Sequence, residues 1–408
     1  MSAPATAPVA TFGNVALGKM VTQKSNLKEG REAHYLRAAH IQPFGQVDLS
    51  ISKKTMWFSD HEIERLNLER GDVVIVEGGA GYGRSAVIPD SFEGWGFQNS
   101  IVRVRPDTSN ACGRYLSYAL QMSLDQGFIE LEASTATIPH FTAEKVSRFR
   151  VPVHPAATQR AIADYLDRET AEIDAMSAEL DELVARLEGR RSTAIDIVMK
   201  KAELAHGNIA IGFNFSVLNG DRGASYPSAK EIVEVGIPFI NAGDLHSDTV
   251  SLDTCKRVSD VKYREMGGAK LRIGDVLFCL RGSLGKSALV NFDEGALASS
   301  LCAVRARSSG KMTPSFILAA MKSTSFGNQI RFAETGSAQP NLGADQLSGF
   351  KVPAPPLDEQ RRIVEHLDEV TAELDSMIAN ARELKTLLAE RRSALITEVV
   401  TGRKGVPF

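Results

Sequence analysis

The sequence predicts an α+β fold: two globular α/β units separated by two long helices, which pair as an intramolecular antiparallel coiled coil with a pseudo-two-fold internal repeat. Three observations predict it. The segment FRVPVHPAATQRAIADYLD from Phe149 returns as FKVPAPPLDEQRRIVEHLD from Phe350, a shift of 201 residues. Each copy leads into a long stretch free of Pro and Gly, with apolar residues at coiled-coil spacing. Each is preceded by short β-rich runs bounded by Gly, Pro or Ser, as strands are.

The elements follow in chain order. Residues 1–157 form the first globular unit. Its start, Met1 to Ala10, is rich in Ala, Pro and Thr, lacks the features of a secretory signal and reads as a frayed tail. Val73 to Val76 and Ile101 to Val104 read as strands, and Arg114 to Leu124 as a short helix. Residues 158–206 are the first long helix, with apolar positions Ile162, Leu166, Ile173, Met176, Leu180, Leu183 and Leu187; Gly189 is expected as a weak point or bend, costing about 1 kcal/mol relative to Ala. Residues 207–356 form the second unit, with strands at Val276 to Leu280 and Leu301 to Val304 and a helix at Pro314 to Met321. Residues 357–408 are the second long helix, with Ile363, Leu367, Val370, Leu374, Met377, Ala381, Leu384 and Leu388. Such helices cannot bury their stripes alone, and pairing within the chain is the economical solution; two helices that each dimerise between chains are the alternative.

The repeat extends beyond the helices. Arg190-Arg191-Ser192 matches Arg391-Arg392-Ser393 without a gap, and GDVVIVEGGAGYGRSAVI from Gly71 resembles GDVLFCLRGSLGKSALV from Gly274 at a shift of 202 to 203. Arg103-Val104-Arg105 likewise aligns with Arg305-Ala306-Arg307.

Composition excludes several function classes. Apolar residues are 43% and charged residues 24%, which sets aside disorder and disulfide scaffolds. Cys112, Cys255, Cys279 and Cys302 lack the CxxC spacing of zinc or redox sites and read as reduced packing residues of a cytoplasmic protein. No run approaches the roughly 18 apolar residues of a membrane span. Gly285-Lys286-Ser287 resembles the end of a P-loop, but Leu280 stands where the first glycine belongs and a strand follows where a helix must open. Glu383-Leu384-Lys385 lies within the heptads and reads as a solvated helix face. The histidines have no metal-ligand spacing, and no cofactor loop or nucleophile triad can be assigned. The expectation is a chain with no catalytic residues and no metal site.

What remains is a pair of Gly-rich loops in matching places. In the first unit these are Gly78 to Arg84, carrying Tyr82 and Arg84, and Thr135 to His140, carrying Thr137 and His140. In the second they are Arg281 to Lys286, carrying Arg281, Ser283 and Lys286, and Gly336 to Asn341, carrying Gln339 and Asn341. Taken singly, each is an exposed loop residue. As a set they offer Arg, Lys, Gln and Asn, the side chains able to make bidentate contacts to base edges, with Arg or Lys reaching phosphates as well. Net charge supports this: −3 overall divides into 0 over 1–157, −4 over 158–206, +3 over 207–356 and −2 over 357–408. The acid sits on the helices, which are poor DNA ligands and suit protein docking.

The twice-occurring proximal motif, the Arg-Arg-Ser runs and the unit-helix-unit-helix order closely resemble the specificity subunit of type I restriction-modification systems, over essentially the whole chain. The first copy departs from that family's motif at His154, Ala156, Ala157 and Thr158, while the second keeps Pro355-Pro356 and Glu359-Gln360. The resemblance implies a non-catalytic subunit whose two target recognition domains read an asymmetric bipartite sequence in double-stranded DNA, with the coiled coil setting the spacer. It implies two modification (methyltransferase) subunits and restriction subunits as partners, with S-adenosylmethionine, ATP and Mg bound by those partners and none by this chain. A recognition subunit of a restriction-free methylation system, a coiled-coil scaffold that touches no DNA, and an enzyme with an unrecognised site are the competing readings.

Overall fold

The computed structural model describes residues 5–21, 30–133, 139–246, 248–333 and 341–407. The chain divides into two compact units. One comprises Met1–Leu180 with Glu383–Phe408, the other Asp181–Arg382. Each unit therefore contains one globular module, part of the first long helix and part of the second.

In the first unit the central sheet runs in the order Gly13–Leu17, Ile101–Pro106, Val73–Val76 and Ser85–Val87, all antiparallel. Val73–Val76 is wholly buried because both of its faces are covered. Val73 and Ile75 join a core with Leu116, Leu120 and the long helices, while Val74 and Val76 join another with Leu36, Phe58 and Phe97. A strand covered on both sides reads as a continuous apolar run, which is why VVIV lacks alternation. The second unit repeats the device: Val276 and Phe278 face the helices, Leu277 and Cys279 a separate core with Leu245 and Leu297. Its sheet is longer, running Phe215–Asn219, Leu301–Ala306, Val276–Cys279, Ser287–Leu289, Thr249–Val250 and Leu245–His246.

A buried ion pair accounts for the repeated GDV segment and for one arginine of each Arg-x-Arg segment, and it corrects their alignment: Val104 faces Val73 as Val304 faces Val276, so the counterpart of Arg105 is Arg305 and not Arg307. Arg105 donates Nε and Nη2 to the two carboxylate oxygens of Asp72 at 2.8 and 2.7 Å, and Arg305 does the same to Asp275 at the same distances. Each carboxylate also accepts a backbone N–H, from Glu69 and Arg272 respectively. Both Asp72 and Asp275 are 1% exposed, so pairing and hydrogen bonding are what make their burial tolerable.

The start of the chain is not frayed over residues 5–10. Thr6–Pro8 pairs antiparallel with Arg150–Pro152, and Val9 is fully buried. Asn208–Ala210 pairs with Lys351–Pro353 in the same way. Strands of three residues carry too little alternation to register as strands in the sequence, and here a Pro ends three of the four.

The long helices are Ala156–His206 and Leu357–Val400, 51 and 44 residues, roughly 75 and 65 Å at 1.5 Å per residue. The first runs through Gly189 without interruption. Within each unit they run antiparallel. In the first unit Ile162, Ala163 and Leu166 share a core with Ile396, Val399 and Val400. In the second, Ile195, Met199 and Ala202 share one with Ile363 and Leu367, and Arg382 donates to Glu188 at 2.6 Å.

Ile162, Leu166, Ile173, Leu187, Ile363, Leu367 and Leu388 are buried, and Leu180 and Leu374 are half-buried. Leu384 corrects the sequence reading: it is 47% exposed, as Val370 (39%) and Met377 (45%) are. The inward positions belong to their neighbours Thr371, Ile378 and Lys385. At 370/371 and 384/385 the sequence reading chose the more apolar of two adjacent residues that both fit a three-or-four spacing, yet the stripe continues there through polar ones, and at 377/378 it chose Met over the buried Ile. Thr170, the counterpart of Thr371, is 3% exposed and lies 3.2 Å from the Tyr118 hydroxyl, a bond that compensates its burial.

The repeated motif glutamine has a structural task. Gln159 Oε1 accepts the Cys112 N–H at 2.9 Å while its Nε2 donates to the His154 carbonyl at 2.8 Å. Gln360 Oε1 accepts the Thr313 N–H at 2.8 Å while its Nε2 donates to Lys311 and Pro355 carbonyls. Each ties the first turn of a long helix to the loop before its module's helix. Because Gln360 is fully buried, Gln360→Ala leaves backbone groups unpaired and is expected to cost about 1–3 kcal/mol in urea unfolding. The exposed neighbour variant Arg361→Ala is expected to stay within about 0.5 kcal/mol.

Candidate nucleic-acid interface

The Gly-rich loops are hairpin connections of one design. In the first module Val76 N–H donates to the Arg84 carbonyl at 2.8 Å and Gly83 N–H to the Val76 carbonyl at 2.8 Å. In the second, Cys279 N–H donates to the Lys286 carbonyl at 2.8 Å and Gly285 N–H to the Cys279 carbonyl at 3.0 Å. Gly83 and Gly285 sit at φ 78° and 87°, the left-handed region that side-chain-bearing residues avoid. The first loop is one residue longer, which accounts for the drop of the shift from 203 before the loop to 202 after it.

A second segment is tied to each hairpin. Gly78 and His140 form an antiparallel bridge, and so do Arg281 and Asn341. The first is reinforced by Phe141 N–H donating to the Glu77 carbonyl at 2.7 Å, the second by Leu342 N–H donating to the Leu280 carbonyl at 3.0 Å. The His140 ring lies close against Gly78, where an added Cβ would stand 2.7 Å from Nδ1. Arg281 Nε donates to Asn341 Oδ1 at 2.9 Å. Thus the structure brings His140 to the Tyr82 and Arg84 hairpin, and Asn341 to the Arg281, Ser283 and Lys286 hairpin. Thr137 and Gln339 lie outside the described residues.

The side chains differ in availability. Arg281, Ser283 and His140 are exposed, whereas Tyr82, Arg84 and Lys286 are half-buried. Arg84 folds back over Gly81, and Tyr82 packs partly against the module core. The Lys286 ammonium donates to the Ala242 carbonyl at 3.3 Å, which holds it against its own module. Burial pushes the Glu77 carboxyl up from its ordinary range, and the nearby His140 opposes that shift.

Sequence reasoning missed Leu131 and Phe332, which are 78% and 92% exposed at the end of the helical segments preceding the second loop of each module. They are 201 residues apart, so the repeat itself was the available signal. Among the described residues no group of three or more His, Cys, Asp or Glu could hold a metal ion. No described helix is long and apolar enough to cross a membrane.

Two repeated modules, each with a Gly-rich hairpin bridged to a second segment and each seated on antiparallel helices, define an internally repeated two-module protein. The model of the type I restriction modification DNA specificity domain matches residues 10–185 and again residues 215–385, and the chain belongs to that family. It is similar to the type I restriction enzyme EcoBI specificity subunit of Escherichia coli, 23% identical over 300 residues, 68% of this chain and 62% of that one. It is also similar to the type I restriction enzyme MjaVIII specificity subunit of Methanocaldococcus jannaschii, 19% identical over 305 residues, 71% of this chain and 69% of that one. The match thus spans about three-fifths of the E. coli relative's length. A solved structure described as the basis of complex assembly and conformational transition of the type I R-M system matches at a TM-score of 0.61 and 15% identity, covering 99% of both chains. That likeness is one of fold.

The close approach of His140 to Gly78 is testable directly. Gly78→Ala is expected to push the 139–141 segment off its hairpin and to speed hydrogen exchange at the Phe141 amide. Gly189→Ala, where an added Cβ meets nothing within 4 Å, leaves that amide unchanged.

Proposed function

We propose that this chain is the non-catalytic DNA-recognition subunit of a type I restriction-modification assembly. Each module reads one half of an asymmetric bipartite target in double-stranded DNA, and the helix pair sets the separation of the halves. The observation that carries this reading is the double match to the specificity domain, with one bridged loop pair in each copy. The halves are expected to differ because the modules share their scaffold but differ in loop side chains: Arg84 and His140 in one, Arg281, Ser283, Lys286 and Asn341 in the other.

The partners in this reading are two modification (methyltransferase) subunits together with restriction subunits. S-adenosylmethionine, ATP and Mg would be bound by those subunits, which supply methylation, translocation and cleavage. Acidic faces of the long helices suit protein docking rather than contact with a polyanion. Two half-sites read separately would each bind weakly, and joining them makes the second contact intramolecular, at high effective concentration only when the spacing fits.

The test is duplex binding and methylation-site sequencing with the chain assembled with modification subunits. Arg84→Ala and Lys286→Ala are each expected to weaken binding by about 1–3 kcal/mol, the first responding to base changes in one half-site and the second to changes in the other. Wild-type affinity in both variants would contradict this assignment of residues. Sequence-independent binding by the wild-type assembly would contradict the function itself.

A further inference from the structure

The second arginine of each Arg-Arg-Ser run does more than join the helices. In the first unit Arg392 is nearly buried, its side chain 6% exposed, and its Nε donates to Asp174 Oδ1 at 3.0 Å. The same guanidinium donates Nη1 to Gln121 Oε1 at 3.3 Å and Nη2 to the Phe44 carbonyl at 3.4 Å, and it lies over the Phe44 ring at 4.7 Å. Phe44 has φ 62°, which no other described non-glycine residue adopts. That backbone conformation is strained for a bulky residue, and the stacked, carbonyl-bound arginine holds it in place. The adjacent Ser393 donates to Asp125 Oδ2 at 2.8 Å. Gln121 and Asp125 both belong to the module helix Gly113–Asp125.

In the second unit the arrangement returns with different chemistry. Arg191 donates Nε to Asp375 Oδ1 at 2.6 Å and approaches Asp248 Oδ2 at 3.8 Å, and Asp248 also pairs with Lys322. Three of these positions are counterparts of ones above at the shift of 201: Arg191 of Arg392, Asp375 of Asp174, Lys322 of Gln121; Asp248 has no such counterpart. Where the first unit uses a direct bond to an amide, the second interposes a carboxylate between two cations. The same three bodies are joined: the partner helix, the helix of the module and a loop of the module. Two units that reach one geometry by different side chains point to a requirement on the geometry.

We propose that Arg392 and Arg191 are positioning residues that seat each recognition module on the helix pair, and that each module is seated by the arginine of the helix that follows the other module. Arg392 follows the second module in sequence and holds the first; Arg191 follows the first and holds the second. A module exchanged between relatives together with only its own following helix would therefore leave its anchoring arginine behind. The role in half-site reading rests on the function proposed above, whereas the seating itself does not.

Arg392→Ala, Arg191→Ala and Phe44→Ala, the last keeping the Asp174 ion pair, are to be compared with wild type in two measurements. In the assembly with modification subunits, Arg392→Ala is expected to relax base discrimination about tenfold in the half-site assigned to Arg84 and to leave the other unchanged. Arg191→Ala gives the converse, and Phe44→Ala a smaller effect with the Arg392 signature. In the chain itself, Arg392→Ala is expected to speed amide exchange about tenfold across Gly113–Asp125, with Pro314–Met321 unaffected. Equal relaxation of both half-sites, or of neither, would overturn the positioning role. If wild type prefers no bipartite duplex, the proposed function fails, and the exchange measurement decides the seating alone: local acceleration supports it and unchanged exchange overturns it.

Discussion

An amphipathic helix of 44 or 51 residues cannot remain exposed along its apolar stripe, and the rest of this structure follows from how that stripe is covered. Part of it is buried against the other long helix and part against a module. Ile162 and Leu166 belong to the same core as Val73, Leu116 and Val399. Ile363 and Leu367 belong to the same core as Val276, Phe316 and Met199. Helix pairing and module docking are thus one burial event in each unit.

The interactions that return in both units are those that hold this arrangement. Gln159 and Gln360 join a helix start to a loop, Asp72–Arg105 and Asp275–Arg305 join strand ends within a sheet, and Arg392–Asp174 and Arg191–Asp375 join the helices. Differences concentrate where nothing is being held. The hairpins differ by one residue in length and in every side chain proposed to meet DNA, and the second sheet has two more strands than the first. A scaffold fixed by buried polar contacts leaves the loops free to vary, as the proposed recognition of two unlike half-sites requires.

Much of this was legible in the sequence because repetition doubles a signal. Gln159 and the Arg-Arg-Ser run stood out through their return at 360 and 391–393. What escaped was set by contacts that spacing does not encode. Thr371 and Lys385 turn inward while the more apolar Val370 and Leu384 turn outward, because the phase of the stripe is decided by the opposite helix and the module. Residues 5–10 read as a tail because a three-residue strand owes its existence to Arg150–Pro152, distant in sequence. The bridging of His140 to Gly78 was hidden for the same reason, although both residues had been singled out.

In the proposed function the length of the helix pair determines which half-site separation is read. Inserting one heptad into each long helix preserves the apolar phase and lengthens both by roughly 10 Å, about three base pairs of duplex. Methylation-site sequencing of the assembly carrying this variant should show the same two half-sites with the gap between them increased by that amount. The same half-sites at the original separation would contradict the account.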